Sequence, residues 1–423
     1  MQEITVDKKL GVIIDGYSTG AQLVSAMRSL GYEILNIMST EEVAVEEISA
    51  TLNSNNFSDT WYYDGNLDKL VQRVAKLAPR FVVAGFEAGV PLAEALADRL
   101  KLPCNDSSKR GYRSNKARMG EGLKSAGIPC AGQIAVTCLD DISQEILDAI
   151  GYPIVVKPTE SAGSDNVVIA HNYAEATAHV EAIFGKKNRI GRVNSEVLIQ
   201  EFIQGQQYIV NSVSLDGEHF VTEIWKDNRI QTDEGQVLYD HEHLVDLNDP
   251  VSIQLANYIK DCLSALGVKY GPIHAEVIYT DTGPKLVEVG ARCQGGILGE
   301  TVREAIGYSH VSLTALLLAD PERFLSFARG LHYEPRVMVV SLNSFSSGNV
   351  AKVTYPEHLQ QLNSFKAVMS MPKVGDFVPR TRDLFTSLGV IYLVHDNFDV
   401  LRNDLSEIRS LEKKDAFFQL KDS

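Results

Sequence analysis

The chain has 423 residues, 44% hydrophobic and 22% charged, which suits several compact, water-soluble units. Its 40 basic and 55 acidic residues leave a net charge of −15, arguing against a nucleic-acid-binding or anionic-membrane-binding surface. Five scattered cysteines with no CxxC pair read as reduced thiols in a cytoplasmic protein, and the stretch MQEITVDKKL has no apolar signal core.

Residues 9–38 read as strand, loop, helix, strand: GVIID, GYSTG, AQLVSAMRSL, YEILNIM. GYSTG is not GxGxxG, so a dinucleotide site is disfavoured. FVVAGFEAG repeats the strand-to-helix step, which makes residues 1–110 an open parallel α/β domain. Ligands of such sheets lie beyond the carboxyl ends of the strands. Glu87 lies there, either to meet a substrate amino group or simply to favour a helix dipole. A helix is expected over 114–129, with Ser114 as N-cap and Lys116 in its first turn. A cation there opposes the helix dipole unless it reaches an anion.

In YPIVVKPTESAGSDNVVIA, a buried strand ends at Lys157 and a loop of small residues follows, Ser161, Ala162, Gly163 and Ser164. A lysine beside such a loop suits phosphate binding, although the pattern is not a P-loop. Strands continue to Trp225. The polar stretch 226–248 reads as a mobile loop over a site, with His241 as a candidate substrate contact and zinc at His241 and His243 as a minor alternative. A helix at 251–266 leads into GPIHAEVIYTDTGPKLVEVGARCQGG, a hairpin about Asp281-Thr282-Gly283-Pro284. A loop over Thr280–Pro284 sets Glu276 opposite Glu288. His274 and Glu276 then share one face, as do Leu286, Glu288 and Gly290. Two facing carboxylates repel unless a hard divalent cation lies between them. Arg292 follows, in a loop whose Gly295 and Gly296 let a ligand approach the backbone. Cys293 in this loop reads as structural. Helices follow, and residues 330–423 read as a small α+β appendage closed by a helix at 398–412.

Lys116, Lys157, the EFIxGxxY run, HAEV and EVGARxxGG, in this order, resemble the ATP-grasp superfamily of carboxylate–amine ligases, and within it the bacterial L-amino acid ligases and dapdiamide synthetase-type peptide ligases. The resemblance covers nearly the whole chain. It implies a multidomain α/β and α+β protein with the ATP-grasp fold: an N-terminal domain (1–110), a small subdomain with the lysine and flap (111–200), a large subdomain with the hinge and metal hairpin (201–329) and a C-terminal subdomain (330–423). It implies that Lys116 and Lys157 contact ATP phosphates under a flap at 161–166, and that Glu201, Phe202 and Ile203 hold adenine. By the same resemblance Glu276 and Glu288 bind two magnesium ions, with manganese as an alternative, and Arg292 stabilises an acyl phosphate. His274 joins the substrate side. The partners implied are a small carboxylate and an amine; a homodimer is suggested only by how common homodimers are among proteins.

Two positions depart from the family pattern. Gln207 stands where members carry a ribose-binding glutamate, and Gly290 replaces the asparagine of the E-x-N metal motif. The alternatives are a carboxylase or purine-type ligase on the same core, and a nucleotide-binding protein without turnover.

Overall fold

The computed structural model describes residues 9–40, 50–161, 163, 165–231, 237–382 and 386–421. Its N-terminal part starts with an apolar strand, β1 (Leu10–Ile14), buried along its whole length. Then come α1 (Thr19–Ser29), β2 (Glu33–Met38), β3 (Asp59–Tyr62), α2 (Leu67–Ala75), β4 (Val82–Ala84) and α3 (Val90–Arg99). The strands form a parallel sheet in the order β3-β2-β1-β4. Strand order reverses between β1 and β4, so the loops after them part and leave a crevice at their carboxyl ends. Glu87 follows β4 there, in a short turn ahead of α3.

The next unit carries α4 (Lys116–Ser125), β5 (Gln133–Val136), α5 (Gln144–Ile150), β6 (Ile154–Pro158), β7 (Val168–Ala170), α6 (Tyr173–Ile183) and β8 (Val197–Glu201). Asn115, rather than Ser114, caps α4: its side chain accepts from the Arg118 N–H. The strands form an antiparallel sheet, β5-β8-β6-β7, and α5 and α6 pack on it through Leu147, Ala176 and Val180.

The third unit carries β9 (Gln206–Leu215), β10 (Glu218–Gln231), β11 (Val237–Leu244), α7 (Pro250–Ala265), β12 (Gly271–Thr280), β13 (Gly283–Gly290), α8 (Gly299–Ile306), α9 (His310–Ala319) and α10 (Pro321–Ala328). After it come β14 (Val337–Leu342), β15 (Gly348–Val353), α11 (Tyr355–Leu359), β16 (Phe365–Met369), β17 (Phe377–Val378), β18 (Gly389–Val394), α12 (Phe398–Lys413) and β19 (Phe418–Lys421). An eight-stranded antiparallel sheet, β13-β12-β9-β10-β11-β14-β18-β16, runs through both stretches. Residues 330–423 are therefore not a mere appendage. Val337, Val339 and Tyr392 share one core with Ile209 and Trp225. Only β17, β15 and β19 form a sheet of their own.

Two local expectations need correction. Residues 226–231 and 237–244 are strands and not a loop; they pair from Trp225↔Leu244 to Gln231↔Val237. Their polarity comes from the face they line. The central hairpin also turns more tightly than expected, with Thr280 opposite Gly283. That register alone would put Glu276 opposite Val287. A bulge between Val277↔Leu286 and Glu276↔Glu288 adds one residue and restores the facing glutamates. The bulge also turns Leu286 to the other face, where it packs with Val277 and Val289 against α7.

Candidate active site

Strand alternation places a set of polar residues on one face of the large sheet. Paired residues share a face, so Asn211, His274 and Glu223 lie together, as do Glu276 and Glu288, and Gln207, Asp227 and Glu242. The loop after β13, the turn after β4 and the end of β6 meet this face.

Glu276 and Glu288 are opposite each other, but each also has a partner of its own. Lys116 Nζ lies 2.9 Å from Glu288 Oε2 and donates to the Ser161 carbonyl at 2.7 Å. The first N–H of α4 donates to the Thr159 carbonyl, which fixes Lys116 against the strand that carries Lys157. Glu276 Oε2 accepts from Gln207 Nε2 at 3.0 Å, and its Oε1 lies 3.6 Å from His274 Nε2. Burial would raise the Glu276 carboxyl, but His274, Arg229 and Lys116 outweigh it and hold the group down. Lys157 is 5% exposed and makes no side-chain hydrogen bond or ion pair among the described residues. Burial, then the nearby Lys116, pushes its ammonium down to about 8.

Arg292 Nε donates to Glu87 Oε2 at 2.8 Å, and its Nη1 donates to the Cys293 carbonyl at 3.0 Å. Glu87 thus reaches the site across the interface with the parallel sheet. Gly290 is explained by this pair: a Cβ there would stand 2.8 Å from Glu87 Oε2 and 3.4 Å from Arg292 Cζ. The asparagine of the E-x-N pattern has no room while the pair stands. We expect Gly290→Asn to fold normally, because only the tip of Glu87 must move, and to lose about tenfold or more in kcat/KM as Arg292 loses its anchor. Phosphate release and thermal melting check this. Higher activity in the variant would show that the position serves a metal after all.

Other expected residues fall into place less uniformly. Glu201 ends β8, where it accepts from Lys285 Nζ at 2.7 Å and the Gly132 N–H at 3.0 Å; Phe202 and Ile203 follow in the link to β9. Gly163, after β6, adopts a positive φ of 68°. Ala162 and Ser164 lie outside the described residues. Tyr392 Oη donates to the Gly296 carbonyl, and Gly295 has open space where a Cβ would be. Cys293 is buried against Thr314, and burial pushes its thiol up to about 12, as suits a structural cysteine. His241 is not brought to the cluster. It points to the opposite face from Glu242, bonds Asp240 at 2.8 Å and stacks on His243 near Phe398 of α12.

Reading 226–248 as a loop concealed Asp227, Arg229 and Glu242. Arg229 Nε and Nη2 donate to Asp227 Oδ2 at 2.9 and 2.6 Å, and its guanidinium stacks 3.5 Å over the Tyr239 ring. Asn211 joins Glu223 Oε2 at 3.1 Å to Gln294 Oε1 at 2.7 Å, and Gln294 Nε2 donates to Glu242 Oε2 at 3.1 Å. Strict alternation continued past Trp225 would have found them.

Among the described residues no group of three or more His, Cys, Asp and Glu is arranged to hold a metal ion. Two facing carboxylates still fit magnesium, a hard ion that keeps waters and takes substrate phosphates as ligands instead of a complete protein cage.

Lys157 at the end of a strand of the smaller antiparallel sheet and Lys116 at the start of α4 stand beside a glutamate pair on the larger sheet, and the similarity to known proteins gives this arrangement its class: the chain belongs to the ATP-grasp family and is an ATP-dependent ligase. The ATP-grasp domain family matches residues 150–301. Dapdiamide A synthase of Enterobacter agglomerans is 33% identical over 412 residues, 96% of each chain. An L-arginine-specific L-amino acid ligase of Bacillus subtilis is 24% identical over 319 residues, 73% of this chain and 72% of that protein. In fold the chain is similar to the L-amino acid ligase of Bacillus licheniformis (TM-score 0.75, 18% identity, 99% of both chains) and to phosphoribosylglycinamide synthetase of Anaerococcus prevotii (TM-score 0.68, 16% identity, 99% and 100%). Among the described residues no helix is long and apolar enough to cross a membrane.

Proposed function

We propose that the protein joins the carboxylate of an amino acid, or a similar acid, to the amine of an L-amino acid, through an acyl phosphate and with release of ADP and phosphate. The observation that carries this is the meeting of Lys116, Lys157, Glu276, Glu288 and Arg292, from separate segments, around one face. The names of the two relatives, a dapdiamide synthase and an L-amino acid ligase, support the substrate class. We assign 1–110, 111–200, 201–329 and 330–423 as the four structural segments.

ATP supplies the γ-phosphoryl group; Glu276 and Glu288 would hold magnesium, which would offset the phosphate charge so that an anionic carboxylate can approach. Lys157, buried and without a hydrogen-bond or ion-pair partner among the described residues, is placed for a terminal phosphate oxygen. Lys116 reaches the same region from the start of α4 and, through the Ser161 carbonyl, ties the flap to it. Arg292 presents a fork held by Glu87 and the Cys293 carbonyl, suited to a carboxylate becoming an acyl phosphate and to the oxyanion formed by amine attack. Gln207 donates to Glu276, so it would orient a metal-binding carboxylate, besides the ribose role that the resemblance implies. The flap excludes water that would hydrolyse the activated acid. Glu201, Phe202 and Ile203 hold the adenine edge.

The test is product identity. A screen of amino acid pairs is expected to yield one ADP and one orthophosphate per amide, and hydroxylamine in place of the amine is expected to trap a hydroxamate. AMP and pyrophosphate as products would remove the acyl-phosphate mechanism and the terminal-phosphate roles proposed for the lysines and glutamates.

A further inference from the structure

The carboxylates around the site differ in what balances them. Glu288 has Lys116, Glu87 has Arg292 and Asp227 has Arg229. Glu276 faces His274 and is placed for metal. Glu223 is sealed at 0% exposure and satisfied by three N–H donors: Asn211, the Trp225 indole and the His310 backbone. Glu242 differs from all of these. It stays half-buried on the same face, accepts one hydrogen bond from the neutral Gln294 amide, and forms no ion pair among the described residues. Arg229, the cation whose charge reaches Glu242, is already committed to Asp227 by a fork and stacked on Tyr239. A carboxylate kept partly out of water without a counter-charge is costly unless a ligand provides one.

The bond to Gln294 also ties Glu242 to the loop of Arg292, two residues earlier, and Gln294 is itself held by Asn211, which contacts His274. Glu242 therefore belongs to the substrate side of the loop. From this we infer that Glu242 is a specificity residue that receives the ammonium group of the amino acid whose carboxylate is activated. This rests on the ligase reading above. The chemistry selects the acyl donor over the acceptor. The attacking amine must lose a proton before it reacts, and a carboxylate ion-paired to an ammonium keeps that proton in place. The amino group of the acyl donor takes no part in the reaction, so an ion pair that keeps it protonated does not oppose the chemistry. Glu242 would thus select, as donor, an acid that carries an ammonium group over one that does not.

The experiment uses full-length protein, ATP, magnesium and hydroxylamine as nucleophile, so that only the acyl donor is varied. The probes are the twenty L-amino acids and, for each one that reacts, the same acid without its amino group. Glu242→Gln keeps the shape and the bond from Gln294. It is expected to raise KM for the amino acid about 10- to 100-fold, the effect of losing one charge-assisted bond. KM for the deaminated acid and kcat should change little, and the melting temperature without ligands should stay the same or rise. Equal losses on both acids, or a clear fall in melting temperature, would make Glu242 a structural residue and overturn the inference. Unchanged kinetics on both would overturn it too. If wild-type protein forms no hydroxamate with any of the twenty, the ligase reading itself falls, and this inference with it.

Discussion

Arg292→Lys lowers kcat by about 10²–10³-fold, the scale of losing a preorganised donor to a developing oxyanion, while KM for ATP stays nearly constant. Two observations require this. The arginine is 9% exposed, and its Nε and Nη1 are both engaged, with Glu87 and with the Cys293 carbonyl. That leaves the rest of the planar guanidinium aimed by two fixed anchors. A lysine ammonium can keep the charge opposite Glu87, so the fold and the local electrostatics survive. It cannot bond Glu87 and present a fork to the substrate at once. Steady-state phosphate release and equilibrium binding of ATP measure the two quantities separately. A variant with normal kcat would show that Arg292 only joins the domains, and a variant that loses ATP binding in equal measure would place the arginine on the nucleotide.

Glu288→Gln and Glu276→Gln each abolish measurable turnover, and each lowers stability without ligands. The second half of this outcome is the opposite of what two facing carboxylates, repelling without a cation between them, would give on their own. Repulsion is not what the structure shows. Lys116 stands on Glu288, and His274, Arg229 and Lys116 together outweigh burial at Glu276. Removing the Glu288 charge leaves Lys116 beside Lys157 with less to balance it. The side chains of the Lys116–Glu288 pair are 14% and 18% exposed, so the cost falls between a surface pair and a sealed one, about 1–2 kcal/mol. Thermal melting of the ligand-free variants reads this directly. Greater stability in either variant would restore the repulsion picture, and normal turnover in Glu288→Gln at ordinary magnesium would remove the metal site.

The fold was legible from the sequence wherever apolar periodicity was strong. The first βαβ unit, the buried strand ending at Lys157 and the helix before the central hairpin have bounds within a few residues of those expected. Legibility failed where polarity served the site. Residues 226–248 look like a loop because every second side chain of β10 and β11 faces a polar cleft instead of a core. Asp227, Arg229 and Glu242 were lost with them. His241 was misplaced for the same reason: once the stretch is a strand, the neighbour of Glu242 must point the other way, toward α12.

The sequence by itself determined the family, the order of the lysines, glutamates and arginine along the chain, and the pairing of Glu276 with Glu288 across a hairpin. These are local or ordinal properties, set by strand alternation and by motif order. Tertiary structure alone decided the rest. The tight turn and the bulge are two offsets that cancel, and hydrogen bonding to β9 favours that register over others the pattern would allow. The continuation of the large sheet into β14, β18 and β16 depends on pairing between strands far apart in the chain. The partner of Arg292 is a glutamate 205 positions away, brought up by a different sheet, and that contact is what leaves no room for a side chain at Gly290. Charge balance at a site is a sum over such distant neighbours. This is why the sequence showed repulsion between two glutamates where the folded protein sets Lys116 against one and His274 beside the other, and why Glu242 stands out only once the cations are in place.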